Sequence, residues 1–305
     1  MSDIKINRGH KDRLFAFIFG REENKRWSLD LYNAINGTEY TDEHEIELNT
    51  IADVLYMGMK NDVSFILRME MNLFEQQSTY PTNMPVRDLM YLGKLYDKYI
   101  KKNKYNIYGE KQIKLPMPRL VTLYNGKKDI EDCELHLRDA FMDDLDKDEA
   151  DVALRVHLIN INKGHNEELL GKCRPLYEYS WLIDKIRDYN KQMEIEAAVD
   201  KTIEEIPEGF LIKEFLIANK AEVKDMCLTE YDEAETMQMF KEEGREEGRE
   251  EGREEGREEG REEGREEGLL ESVKKLMKNL KVSAEQAMDS LEIPEDMRQK
   301  YLSML

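Results

Sequence analysis

The chain has 305 residues, of which 40% are hydrophobic and 37% are charged, and its formal net charge is −20 at pH 7. This composition is typical of soluble globular proteins, and no apolar run approaches the ~20 residues of a transmembrane helix, so no membrane association is expected. The three cysteines lie far apart, which excludes a disulfide framework and a zinc site and fits a cytoplasmic location.

The first predicted elements are two helices within residues 10–36, because apolar residues recur there at helical spacing. The dipeptide Asn36-Gly37 is a typical helix stop. Ile51–Met59 is apolar and is predicted to be a first strand or the approach to one.

Two runs with the length and residue types of strands follow, Asp62–Leu67 and Asn72–Thr79. Their short connection predicts an antiparallel hairpin with Arg68 and Met69 at its tip. This pair is not favoured in a two-residue turn, which prefers Asn-Gly or Asp-Gly. A longer loop or a shifted register is therefore the alternative.

With a two-residue tip, Leu67 pairs with Glu70, and the same register places Asp62 opposite Glu75. Opposed residues share a face of the sheet, and Gln77 joins that face because side chains alternate along a strand. Two facing carboxylates repel each other, whereas a bound divalent cation would reverse the sign of the interaction. Oxygen ligands without Cys or His indicate Mg²⁺ or Mn²⁺. The alternative is an ordinary half-exposed hairpin with polar residues on its wet face.

Asp62, followed after twelve residues by Glu75 and then Gln77, resembles the D…ExK/Q core of the PD-(D/E)XK nuclease superfamily. The flanking sequence resembles one bacterial branch of that superfamily, the recombination-promoting nuclease/putative transposase family. The segments that carry this likeness are Tyr56–Phe65, Phe74–Thr79 and Asn83–Tyr91, and it covers roughly residues 10–240.

The resemblance implies an α/β fold with a small mixed central sheet flanked by helices, Mg²⁺-dependent DNA cleavage, and Asp62, Glu75 and Gln77 as the active set. Gln77 stands where many members of the superfamily have Lys. Glutamine can orient a water or a phosphate oxygen but brings no charge to lower the pKa of that water. An early-helix acid often joins such sites, although a solvated helix face is the alternative for each candidate here. The candidates are Asp12, Glu22 and Glu23.

After the hairpin, Met84–Lys102 is predicted to be an amphipathic helix. Arg87 and Tyr91 lie on one side of it and belong to the resemblance; Arg87 would contact a phosphate or form a structural salt bridge. Lys94–Arg119 carries eight basic residues against two acids and has interleaved tyrosines, which favours binding to a phosphate backbone. Lysines that complement a helix dipole at a solvated end are the alternative. The predicted phosphate contacts are Arg87, Lys98, Lys101, Lys102 and Lys104.

Further strands are predicted at Arg119–Gly126 and Val152–Ile161, with a short helix at Cys133–Phe141 between them. With the hairpin, these give about four strands. The pattern is helical from Glu167 to Lys224, and these helices should cover the sheet.

The tail begins with a strict Glu-Glu-Gly-Arg repeat at residues 242–268. A four-residue repeat drifts by about 40° per unit around a helix, so it maintains no apolar face. The tract is predicted to be a spacer, either a marginal polar helix or a flexible charged linker. A dimerisation seam that uses the glycines for close approach is the alternative. Residues 269–305 have apolar helical faces but too few residues for a core of their own. We expect them to pack on the body of the same chain or on another copy of the chain. Packing on another copy would make a homo-oligomer.

These patterns predict a nuclease-like domain at residues 1–240, a repeat spacer at 241–268 and a terminal helical segment at 269–305. The expected function is a Mg²⁺-dependent DNA endonuclease linked to recombination or mobile elements. The alternative is a cleavage-incompetent DNA- or protein-binding module of the same fold. A competing pattern, Glu70-x-Asn72, lies on the opposite face of the hairpin from Asp62.

Overall fold

The computed structural model describes residues 14–49, 62–142 and 146–305. Six strands are described: β1 (Glu47–Leu48), β2 (Val63–Leu67), β3 (Glu70–Gln77), β4 (Met117–Tyr124), β5 (Cys133–His136) and β6 (Arg155–Asn160). They form one mixed sheet in the order β1-β2-β3-β4-β6-β5. β3, β4 and β6 are parallel, whereas β1, β2 and β5 pair antiparallel with their neighbours. A mixed sheet flanked by helices is the predicted fold class.

The described part of the chain contains ten α-helices: α1 (Leu14–Phe19), α2 (Lys25–Asn36), α3 (Met84–Lys102), α4 (Glu167–Lys172), α5 (Arg174–Asn190), α6 (Ile195–Glu204), α7 (Lys213–Ala218), α8 (Lys220–Leu280), α9 (Ala284–Ser290) and α10 (Glu295–Leu302). The two helices predicted within residues 10–36 are confirmed as α1 and α2, and the helix predicted at Met84–Lys102 is confirmed as α3. Gly37 ends α2 in the left-handed conformation, with φ 65°. The apolar run Ile51–Met59 lies outside the described residues.

Among the helices described, none combines the length and the apolarity that a membrane span requires.

The β2–β3 hairpin has the predicted register, because Leu67 pairs with Glu70 across a two-residue tip. Arg68 and Met69 have φ angles of 46° and 69°, the signs that a type I′ turn demands. The tip is held from outside by Arg68, whose guanidinium donates to Glu45 at 2.6 and 2.8 Å. These contacts join the tip to the segment that precedes β1.

β3 separates two apolar layers because its side chains alternate between the faces of the sheet. Phe74 belongs to the layer that contains α1, α2 and α5, together with Phe65 and Val121. Met71 and Leu73 belong to the opposite layer, which contains α3. Each face of β3 is therefore covered by helices, and the polar residues at its carboxyl end lie between them.

The helix predicted at Cys133–Phe141 is wrong, because Cys133–His136 forms the edge strand β5. Leu135 points into the α3 layer, whereas Glu134 and His136 alternate away from it and face polar groups. A short 3-10 helix, Leu137–Ala140, follows the strand. With only four residues, β5 is too short to show a clear period-2 pattern in the sequence, which explains why the strand was not predicted.

The chain divides into two units, residues 1–234 and 235–305. In the second unit the last turns of α8 pack with α9 and α10 around Val273, Met288, Ile293 and Tyr301. A capping box formed by Ser283 and Gln286 begins α9. Residues 269–305 therefore bury an apolar cluster among themselves. The expectation that they are too few to form a core without the body or another copy is wrong in this respect. Self-association through these helices stays a prediction.

The hairpin tip yields a stability prediction for Met69→Gly. The Met69 side chain is 84% exposed and φ is positive, so glycine removes a left-handed L-residue without loss of packing. We expect the free energy of unfolding to rise by about 0.5–1 kcal/mol in urea titrations. Met142→Gly is the matched control, because Met142 is equally exposed and has no positive φ; it should give no gain. Equal effects of both variants would contradict the turn assignment.

Candidate active site

Two acidic residues meet where the β2–β3 ladder ends. Beyond the last backbone pair, Val63 with Phe74, the Asp62 N–H donates to Glu75 Oε1 at 2.9 Å. The Gln76 N–H donates in turn to Asp62 Oδ2 at 2.8 Å. Both acids are buried. The structure thus brings together Asp62 and Glu75, as the predicted register requires, and fixes each carboxylate on the backbone of the other strand.

Arg87 reaches this pair from the first turns of α3. Its Nη2 lies 3.3 Å from Glu75 Oε2 and 3.4 Å from the Tyr91 hydroxyl. Of the two roles predicted for Arg87, the salt bridge is therefore present in the structure. Contact with a phosphate stays a prediction.

Burial raises the pKa of Glu75 well above its ordinary range, and the negative charges of Asp62 and Asp88 raise it further. The Arg87 guanidinium opposes this shift. The site thus holds carboxyl groups whose ionised forms repel one another in a buried position. A bound cation would lower the pKa of Glu75 for the same reason that Arg87 does.

Asp88 is a third acid at this site that the sequence analysis missed. Its side chain is 1% exposed, and neither carboxylate oxygen has a hydrogen-bond partner among the described residues. Burial raises the pKa of Asp88 to about 8, although neighbouring Arg87 lowers it. The signal in sequence is a polar residue on the apolar stripe of α3, between Met84 and Tyr91.

Gln77 shares the α3 face of the sheet with Glu75 because the two are two residues apart on β3. Its Nε2 is buried and has no partner in the described part of the chain. Thr122 on β4 is paired with Glu75 in the parallel ladder, and its buried hydroxyl is likewise without a described partner. An amide donor and a hydroxyl are thus placed beside the acid pair.

On the other face of β3, Gln76 donates its Nε2 to Asn125 Oδ1 at 2.7 Å. Asn125 follows β4 directly, and its own N–H donates to the Gln77 carbonyl at 3.1 Å. Gly126 makes this tight turn possible, because a Cβ there would collide with the Ser78 carbonyl oxygen. The Asn-Gly pair, predicted as a strand end, thus fixes the loop beside the acids.

The predicted lysine contacts lie elsewhere. Lys98 comes eleven residues after Arg87, about 16 Å farther along α3. It donates to the Asn49 carbonyl at 3.2 Å, while Lys101 pairs with Asp97 and Lys102 with Glu47. Lys104 follows the helix end. The basic segment therefore lies at the opposite end of α3 from the acid pair, and part of its charge is already neutralised.

The other predicted acids also lie apart from the pair. Glu22 and Glu23 are exposed and pair with Lys25 and Arg21, at 2.7 and 3.2 Å. Asp12 lies outside the described residues. The competing Glu70 lies at the start of β3, where it pairs with Arg119 at 2.8 Å.

The donor set suits a small, hard cation held by few protein ligands. The described residues contain no group of three or more His, Cys, Asp or Glu side chains arranged to bind a metal ion. Mg²⁺, however, is typically bound through one or two carboxylates and keeps several waters. Two buried carboxylates, Asp62 and Glu75, fit that pattern and do not fit an all-protein zinc or calcium site.

A groove of about 740 Å³ runs along β4, β6 and β5 and is lined by residues such as Arg119, Glu134, Arg155 and His157. None of the predicted catalytic residues lines it. Glu134 lies 3.5 Å from Arg155, whose guanidinium matches its charge, and 3.5–3.6 Å from His157 and His136. Two buried acids that share one hydrogen-bond network are the stronger indication of a functional site, so we place the candidate site at Asp62 and Glu75.

The buried acid of α3 gives a pH-dependent prediction for Asp88→Asn. The pKa of Asp88 is about 8 in the folded chain against an ordinary value of 3.8, so the folded state holds the proton longer than the unfolded state. Wild-type stability should therefore fall as pH rises from about 4 to 8, by up to about 1.4 kcal/mol per pH unit. Because asparagine does not titrate, the free energy of unfolding of the variant should rise relative to that of the wild type over this window, and the difference should stay constant above pH 8.

Urea unfolding at several pH values measures this difference. Asp97→Asn, on the exposed side of the same helix, is the control and should show no comparable growth. A stability difference between wild type and Asp88→Asn that does not change with pH would contradict a protonated, buried Asp88.

No protein-family model matches the chain, and no curated protein or solved structure matches it either. The likeness carried by Asp62, Glu75 and Gln77 therefore stays an expectation, and function must be argued from the geometry of the site.

Proposed function

We propose that this chain is a Mg²⁺- or Mn²⁺-dependent DNA endonuclease that hydrolyses phosphodiester bonds at Asp62 and Glu75. The observation that carries the proposal is the buried acid pair, in which each carboxylate accepts an N–H from the other strand. Burying two like charges together costs free energy unless a cation compensates them, and such groups cluster at functional sites. The pair also lies at the carboxyl end of a parallel strand, where α/β proteins commonly bind ligands.

The residues around the pair have distinct roles in this proposal. Asp62 and Glu75 supply carboxylate oxygens to the cation, and Arg87 holds Glu75 in place through its 3.3 Å contact. A divalent cation, when bound, supplies Lewis-acid stabilisation and an activated water. The amide of Gln77 would orient that water or a phosphate oxygen by hydrogen bonding. It adds no charge, so Gln77 acts by position alone.

A cleavage-incompetent DNA- or protein-binding module is the second candidate, and one observation favours it. Both oxygens of Glu75 and one oxygen of Asp62 already accept protein N–H groups. A cation would have to share these oxygens with the protein donors. The two candidates differ in whether the wild-type chain cleaves DNA at all, and a cleaving chain should lose that activity when the acid pair is changed.

The test is cleavage of supercoiled plasmid. Purified protein should nick or cut the plasmid with Mg²⁺ or Mn²⁺, and EDTA should stop it. Asp62→Ala and Glu75→Ala should each lower the rate by at least about a hundredfold, because each removes a ligand of the cation. Thermal unfolding would verify that both variants fold.

Glu70→Gln is the matched control, since Glu70 lies on the same strand but pairs with Arg119. It should retain cleavage. Full activity in Glu75→Ala, or loss of activity only in Glu70→Gln, would move the site away from the acid pair. A folded wild type that cuts nothing under any of these conditions would favour the binding module.

A further inference from the structure

A second arginine approaches the acid pair from the face of the sheet opposite Arg87. Arg187 lies near the end of α5, and its Nη2 is 3.3 Å from Asn125 Oδ1. The same Asn125 oxygen accepts from Gln76 Nε2, and the Gln76 N–H donates to Asp62 Oδ2. A short chain of hydrogen bonds therefore fixes Arg187 relative to Asp62.

The two arginines come from different layers. α3, which carries Arg87, packs on the face of β3 that contains Leu73 and Glu75. α5 packs on the other face with Phe74. Arg87 and Arg187 therefore flank the carboxyl end of β3 from opposite sides of the sheet.

Arg187 has hydrogen-bonding capacity to spare. A guanidinium has five N–H donors, and the contacts described for Arg187 are both long: 3.3 Å to Asn125 and 3.8 Å to Asp184. The side chain is 27% exposed, so a ligand can reach it. Arg87, in contrast, is engaged with Glu75 and Tyr91. Its charge holds the site together, whereas that of Arg187 is only partly matched by Asp184.

Arg187 is linked to Asp62 through Asn125 and Gln76. A phosphodiester that approached Asp62 and Glu75 would bring more negative charge and would need a cationic partner besides a metal ion.

We propose that Arg187 binds the non-bridging phosphate oxygens of a DNA backbone that enters from the α5 face of the sheet. The planar guanidinium suits bidentate contact with phosphate, and the hydrogen bond to Asn125 would orient it. This inference rests on the proposed function, because it assigns the DNA contact of the same site. It moves the backbone contact from the lysines at the far end of α3 to the carboxyl ends of the parallel strands.

The test is DNA binding without cleavage, measured by fluorescence anisotropy of a labelled duplex in EDTA at several salt concentrations. Arg187→Ala should weaken binding about five- to tenfold and reduce the slope of log affinity against log salt by about 1, because one phosphate contact is lost. Arg187→Lys should keep the slope but lose part of the affinity, since lysine keeps the charge without the bidentate geometry. It also serves if the alanine variant fails to fold.

Arg155→Ala is the matched control. Arg155 is an exposed arginine that pairs with Glu134 at the start of β6, at the other end of the sheet. Its loss should change affinity less than twofold. Wild-type affinity and slope in Arg187→Ala would overturn the inference, as would an equal loss in Arg155→Ala or a wild type that binds no duplex.

Failure of this inference can be told apart from failure of the proposed function. If Glu75→Ala abolishes plasmid cleavage while Arg187→Ala binds DNA like the wild type, the function stands and Arg187 has no role in it. If the wild type binds DNA through Arg187 but cuts nothing, the contact stands and the nuclease proposal falls.

Discussion

The candidate site depends on the mutual exchange of hydrogen bonds between Asp62 and β3. Asp62 gives its N–H to Glu75 and takes the N–H of Gln76 on its own carboxylate. These two bonds continue the hairpin past its last backbone pair by using side chains in place of carbonyls. The arrangement keeps two acids buried and close together, which is costly unless something else at the site compensates their charge.

The sheet topology brings groups from both of its faces to the Asp62–Glu75 pair. The hairpin register brings Asp62 level with Glu75, and the parallel pairing of β3 with β4 brings Asn125 to the same end. Because β3 alternates its side chains, Glu75 meets α3 while Gln76 meets the loop that contacts α5. One strand thus carries an acid towards one helix and an amide towards the other.

The local parts of this arrangement are readable from sequence. The two strands, their register and the helix with Arg87 follow from run length, alternation and helical spacing, and the structure has them where the pattern places them. The tip was the weak point of the prediction, since Arg68 and Met69 are poor turn residues; in the structure Arg68 also pairs with Glu45, which is 23 residues away in sequence. No local rule would have found that partner.

The missed features all depend on long-range packing. Asp88 differs in sequence only by standing on the apolar stripe of α3, and its burial depends on the packing of α3 on the sheet. Arg187 meets Asn125 across 62 residues of sequence. The lysines of α3 form a basic run in sequence, but Glu47 on β1 neutralises one of them in space. Counting charge along the chain cannot include a partner contributed by another strand. The terminal helices likewise bury an apolar cluster that the length of the segment alone did not predict.

The central claim is that the Asp62–Glu75 pair is a cation site, and direct binding of Mn²⁺ tests it without any substrate. Titration calorimetry on the wild type at two pH values should show affinity that rises with pH and release of protons, because the pKa of Glu75 is raised and the cation takes the ionised form. Glu75→Gln should weaken binding about tenfold or more, whereas Glu70→Gln should leave it unchanged. A wild type that binds no Mn²⁺, or Mn²⁺ binding that Glu75→Gln leaves intact, would contradict the account.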